Sequence, residues 1–221
     1  MNFNFIKVVK LVVLLLLPSF SHADIITLDF EGAGNMASLN EFYNGGTDSQ
    51  GNSGVDYGIS FGSNALSCLD SDAGGSCNIA NEPTPDTVMF FTSGSAVLNY
   101  TSGFDTGFSF FYSSSSVVLI NVYSGIDLTG ILLGSISLAS NSSDNDCVGD
   151  PTGAYCNWDV GALNFLGTAY SIDFGGSVNN VGFDNITLGS TNPNTTVPEP
   201  SSIVLFMVAF LGFVSRRIQR K

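Results

Sequence analysis

Along the middle of the chain apolar and polar residues alternate, the period of a half-buried strand rather than of a helix. "DIITLDF" (24–30) puts Ile26, Leu28 and Phe30 on one face, and "VDYGISF" (55–61) does the same with Val55, Tyr57, Ile59 and Phe61. The same reading predicts strands at "TVMFF" (87–91), "SAVLNY" (95–100), "TGFSFFY" (106–112), "VVLINVY" (117–123), "ILLGSISL" (131–138), "AYSIDF" (169–174) and "VGFDNITL" (181–188). Clusters of Gly, Asn, Asp and Ser separate them, and neither an amphipathic helix nor an internal repeat stands out. Nine short strands predict an all-β fold, an antiparallel, jelly-roll-like β-sandwich.

Two apolar stretches fall outside this pattern. At the start, Lys7 and Lys10 precede or interrupt the run Val8 to Leu17, which leads to Pro18 and the small-residue pattern Ser21-His22-Ala23. That is the layout of a secretory signal peptide (1–23), cut after Ala23. At the end, Ile203 to Val214 are twelve residues, apolar apart from one Gly, between a Pro-containing turn and "RRIQRK". As a helix they cover about 18 Å of a ~30 Å hydrocarbon core, a short transmembrane helix held weakly. The basic end stays cytoplasmic by the positive-inside rule. The chain thus divides into signal peptide (1–23), sandwich (24–190), polar linker (191–197) and C-terminal segment (198–221).

Charge sharpens this division. The 221-residue chain has a formal net charge of -13, yet all six basic residues lie at its ends: Lys7, Lys10, Arg216, Arg217, Arg220 and Lys221. Between Asp24 and Val197 there is no Lys, Arg or His, while 18 of the 19 carboxylates fall there, Glu199 being the exception. Nucleic acid is excluded as a partner, because phosphate contacts need Lys or Arg. Ser-His, Cys-His and Ser-Lys catalysis and a His-ligated zinc are excluded as well. Salt, or a hard cation such as Ca²⁺, would relieve the self-repulsion.

Export makes the four cysteines readable. Cys68 and Cys77 bracket one Gly-containing loop of eight residues, and Cys147 and Cys156 bracket another. Two local disulfides, Cys68–Cys77 and Cys147–Cys156, are the expectation in an oxidising compartment. Crossed pairing and a four-thiolate metal site are the alternatives, the latter lacking the close spacing of zinc ribbons.

Pro198-Glu199-Pro200, followed by the short apolar segment and by Arg216, Arg217, Arg220 and Lys221, resembles the PEP-CTERM sorting signal of Gram-negative bacteria. The resemblance implies an exosortase that cuts near Pro198-Glu199-Pro200 at the inner membrane, and export alongside an exopolysaccharide or biofilm matrix. The body is similar to the β-sandwiches found on such proteins, in "LDFEG", "YGISF", "NEPTPDTVMFF", "GFDTGFSFFY" and "VGFDNITLG". Its first and last strands resemble those of galactose-binding-like jelly rolls. That likeness implies a structural Ca²⁺ held by Glu31 and Asp184.

"DSDAGG" (70–75) and "DNDCVGD" (144–150) start like calcium loops but lack the Glu at position twelve, so they read as turns. Tyr43, Tyr57, Tyr155 and Trp158 offer surfaces for sugar rings or for a core. Four Asn-x-Ser/Thr triplets begin at Asn99, Asn141, Asn185 and Asn194 and are discounted in a bacterial protein. The favoured expectation is a non-enzymatic exported surface or matrix protein. A Ca²⁺-dependent carbohydrate-binding module is the alternative, and a glycosidase or lyase using Glu82 with Asp86, or Glu31 with Asp184, comes third.

Overall fold

A computed structural model describes residues 25–144, 147 and 153–193. The expected signal peptide and the whole C-terminal segment, including Pro198, Glu199, Pro200, Arg216, Arg217, Arg220 and Lys221, lie outside the described residues, as does most of "DNDCVGD". Eleven strands form: β1 (Ile26–Leu28), β2 (Ile59–Phe61), β3 (Leu66–Leu69), β4 (Thr87–Phe90), β5 (Ala96–Phe104), β6 (Gly107–Ser114), β7 (Val118–Tyr123), β8 (Leu132–Leu138), β9 (Asp159–Asn164), β10 (Ala169–Phe174) and β11 (Val181–Leu188). A single 3-10 turn, Ile126–Leu128, is the only helical element among the described residues.

One sheet has the order β3-β4-β11-β6-β9, with β1 also paired to β11, and the other β2-β5-β10-β7-β8. Every pairing is antiparallel, and the pairs β4·β11, β5·β10, β6·β9 and β7·β8 are nested, alternating between the sheets. That nesting is one long hairpin wound over itself, a jelly roll.

All nine expected strands form; β5 runs on to Phe104 and β6 to Ser114, whereas β1, β2, β4, β7 and β8 are shorter than expected. "VDYGISF" pairs as β2 only from Ile59, because Gly58 turns at φ +72 with its N–H on the Asp56 carboxylate, leaving Val55 outside. The sequence signal missed β3 and β9. In β9 the inward position beside Phe110 is Gly161, where an added Cβ would lie 2.3 Å from the Phe110 ring. The large side chain that marks a strand therefore sits on the neighbour. The core of both sheets is aromatic: Phe110 packs against Phe108, Tyr112, Phe174 and Phe183 with ring centroids 5.4–6.4 Å apart.

Both expected disulfides are present, Cys68–Cys77 and Cys147–Cys156. The described residues beside them cover the outer face of the six-stranded sheet. Cys68, Ile79, Ala80, Val88 and Cys156 are buried there, outside the main core. The segment after Cys77 is joined edge to edge with the residues before Cys156: the Ala80 N–H donates to the Tyr155 carbonyl, and the Ala154 and Tyr155 N–H groups donate to the Asn78 carbonyl. Each bridge closes a short loop and contributes about 2–3 kcal/mol, chiefly by constraining the unfolded chain.

Candidate functional site

On one side of β11 the neighbour changes along the strand: Phe183 faces Met89 of β4, whereas Ile186 to Leu188 face β1. At the change β11 bulges away from β6 between Asp184 and Thr187, with Asn185 at φ +48. Asp184 stabilises the bulge, its carboxylate accepting the Asn185 N–H at 2.7 Å. It also accepts the Thr84 N–H and hydroxyl, each at 2.9 Å, which pins the loop before β4 onto β11. Asp184 is fully buried. Glu31, just after β1, accepts the Thr87 N–H at the start of β4 at 3.0 Å.

These two carboxyls are electrostatically coupled. Burial, opposed by its hydrogen bonds to Thr84 and Asn185 and helped by the charge of Glu31, pushes Asp184 up to about 7. Burial likewise pushes Glu31 up to about 7, against the Thr87 hydrogen bond and with help from Asp29 and Asp86. No cation in the domain can offset them. One buried and one half-buried carboxyl at the join of three strands suit a hard divalent ion, with carbonyl or water oxygens completing its shell. Among the described residues no group of three His, Cys, Asp or Glu side chains is placed to hold a metal ion.

Glu31 also lines a cleft of about 300 Å³ with Asp29, Tyr43, Val55 and Tyr57. Tyr43 is buried rather than available for stacking: its hydroxyl donates to Asp29 and accepts the Phe30 N–H. A second cleft, of about 250 Å³, opens beside the disulfide loops over Val88, Phe90 and Gly182, with Tyr155, Asn78 and Asn179 at its walls. No ionisable acid or base lines it apart from the Tyr155 phenol.

The other sequence-predicted residues have structural duties. The Trp158 indole N–H donates to the Ala80 carbonyl, and its ring covers Gly182. Asp70 accepts the N–H groups of Ser71 and Asp72, a turn as expected. Asn141 is buried, bonded to Ser114, Tyr112 and Asp159, and Asn185 is buried in the bulge, so neither presents an accessible triplet. Sequence reasoning missed Thr84 and Asp48. Burial raises the Asp48 carboxyl, but hydrogen bonds from the Asn52 side-chain amide and from the N–H groups of Gly34, Asn52 and Gln50 hold it below the usual range. Its signal is the turn-rich "GTDSQGNSG".

Among solved structures the chain is similar to the K2 cleaved adhesin domain of Lys-gingipain, with 9% identity over 76% of this chain and 99% of that chain and a TM-score of 0.46. It is also similar to a family 6 carbohydrate-binding module, with 19% identity, 59% and 86% of the two chains covered and a TM-score of 0.35. A carbohydrate-binding module from Cellvibrio mixtus lichenase 5A has 11% identity, 59% and 89% coverage and a TM-score of 0.33. The sandwich assignment rests on the strand pairing itself. No curated protein matches the chain. Residues 196–221 match the PEP-CTERM protein-sorting motif. The chain is therefore a two-sheet antiparallel β-sandwich that carries a PEP-CTERM protein-sorting motif at its C-terminal end.

Proposed function

We propose that the protein is a non-enzymatic exported surface or matrix protein of a Gram-negative bacterium, anchored in the inner membrane by its tail until an exosortase removes it. The match of residues 196–221 to the sorting motif carries this reading. The body supports it: the segment 24–197 lacks every His, Lys and Arg that common hydrolytic machinery needs, and Asp184 is too deeply buried to reach a substrate with Glu31. Deleting the exosortase gene should leave the protein in the inner-membrane fraction, whereas unchanged release would overturn the reading.

A second reading, a Ca²⁺-dependent carbohydrate-binding module, is supported by the uncompensated Glu31 and Asp184 pair. Glu31 and Asp184 would hold the ion, which would supply the missing positive charge where β1, β4 and β11 meet. Calcium should raise the melting temperature, and Glu31→Gln or Asp184→Asn should each abolish that rise, because an ion selective for the native state stabilises it by mass action. In chelator the sign of the pH dependence is opposite to that of an ordinary salt-bridged acid. Both carboxyls prefer the protonated form when folded, so stability should rise as pH falls from above about 7 towards the unfolded values near 4. Thermal melts from pH 8 to 5 check this, and a flat profile would remove the case for an uncompensated pair. The neutral cleft at Tyr155 is the place for a sugar ring: Tyr155→Ala should abolish binding to the producer's own polysaccharide on a glycan array, while no binding by the wild type would eliminate this reading.

A further inference from the structure

Both ends of the described chain lie at the same end of the sandwich. Ile26 begins β1 opposite Leu188 at the end of β11, the Gly189 N–H donates to the Gly107 carbonyl, and Ser109 Oγ donates to the Ser190 carbonyl. The turn from β9 to β10 and the loop from β7 to β8 emerge at this end too. They carry Leu166, Ile131 and Leu132, exposed by 92%, 69% and 55%. The turn bearing Leu166 rests against the start of β8: a Cβ at Gly167 would lie 3.8 Å from Leu133 Cδ2, the residue after Leu132. The loop is well held. The Ile131 N–H donates to Ser124 Oγ at 2.9 Å and its carbonyl accepts the Ser124 N–H at 3.0 Å, so the side chain is presented outward by a satisfied backbone.

We propose that this apolar tip rests in the lipid surface of the membrane that holds the tail, an inference that stands on the sorting reading above. The chain leaves the described fold at Pro193, and only nine residues, 194–202, precede the apolar segment at Ile203. Even fully extended they span about 30 Å, so the sandwich is held within that distance of the bilayer, exit end first. Leu and Ile side chains gain by leaving water for the acyl boundary. The contact is apolar rather than electrostatic, because the domain has no cation and this end carries the exposed Asp105 and Asp127. Those carboxylates oppose approach to anionic headgroups, so docking is stronger on zwitterionic lipid. Once the tail is cut, the tether that concentrates the tip at the surface is gone, and so is the docking.

The test uses the full chain reconstituted in phosphatidylcholine vesicles, with Leu166→Cys labelled by an environment-sensitive fluorophore after the native disulfides have formed. Val117→Cys, at the far end and 63% exposed, is the control. The expected result is blue-shifted emission at position 166 that a lipid-borne quencher removes, with water-like emission at 117, and a smaller shift when phosphatidylglycerol is added. Water-like emission at both positions overturns the proposal. A shift that grows with protein concentration without vesicles assigns the tip to a second copy, and a shift that requires exosortase assigns it to that enzyme; either also overturns it. The readout involves no cleavage, so docking without processing in cells would refute the sorting reading alone, and processing with water-like emission would refute the docking alone.

Discussion

A chain in which Pro198, Glu199 and Pro200 are all replaced by alanine is expected to keep its basic tail and to fractionate with the inner membrane, while the unaltered chain leaves it. In the proposed reading the twelve residues Ile203–Val214, apolar apart from one Gly, would cover about 18 Å of a ~30 Å core as a helix, and Arg216, Arg217, Arg220 and Lys221 would hold the far end on the cytoplasmic side. On that reading the segment anchors the chain only until it is cut, and the three alanines remove the residues proposed to mark where. The sandwich itself ends with β11 at Leu188, before the change, and should melt as before. Immunoblots of membrane and external fractions decide the matter: release of the alanine variant at the rate of the unaltered chain would show that the three residues are not read.

The largest effect on stability is expected at Phe110. Its ring touches four other aromatic rings drawn from β6, β10 and β11, and Gly161 of β9 is bare to admit it. Phe110→Ala should cost about 3–5 kcal/mol, because the stiff strands on both sides leave a cavity that cannot close. That is a large part of the 5–15 kcal/mol, roughly, by which domains are stable. Leu166→Ala, on a side chain with almost no burial, should change stability by less than about 0.5 kcal/mol. Denaturant titration of the two variants separates them, and equal losses would mean that the aromatic cluster is not the centre of the core.

The strands that bury alternate side chains were legible from spacing alone, since a period of two is a direct image of the pleat. What escaped were elements whose signal lies on a partner. β9 reads "DVGALN" because Val160 faces water on the outer side, Asp159 takes the Asn141 amide at the strand's start, and the inward Gly161 yields to Phe110. β3 was hidden because Cys68 faces the covered outer side of the sheet rather than the core cluster. At the acidic site, Glu31 and Asp184 were named through resemblance, and the fold places them at one strand junction. Thr84 could not be named, because its role exists only once the loop before β4 closes over β11. The aromatic residues that suggested sugar binding divide in the same way: Tyr43 and Trp158 spend their polar groups inside the protein, while Tyr155 alone stands at a neutral cleft.

The charge distribution unites the two halves of the chain. A body with carboxylates and no cation suits an exterior, salt-bathed setting, and the positive charge at its C-terminal end is confined to the segment that, in the proposed reading, is cut away. That fate is directly measurable in the mass of the protein recovered from outside the producing cell. The account predicts a C-terminus at or near Pro198 to Pro200, with "RRIQRK" absent; an exported form that ends intact at Lys221 would contradict it.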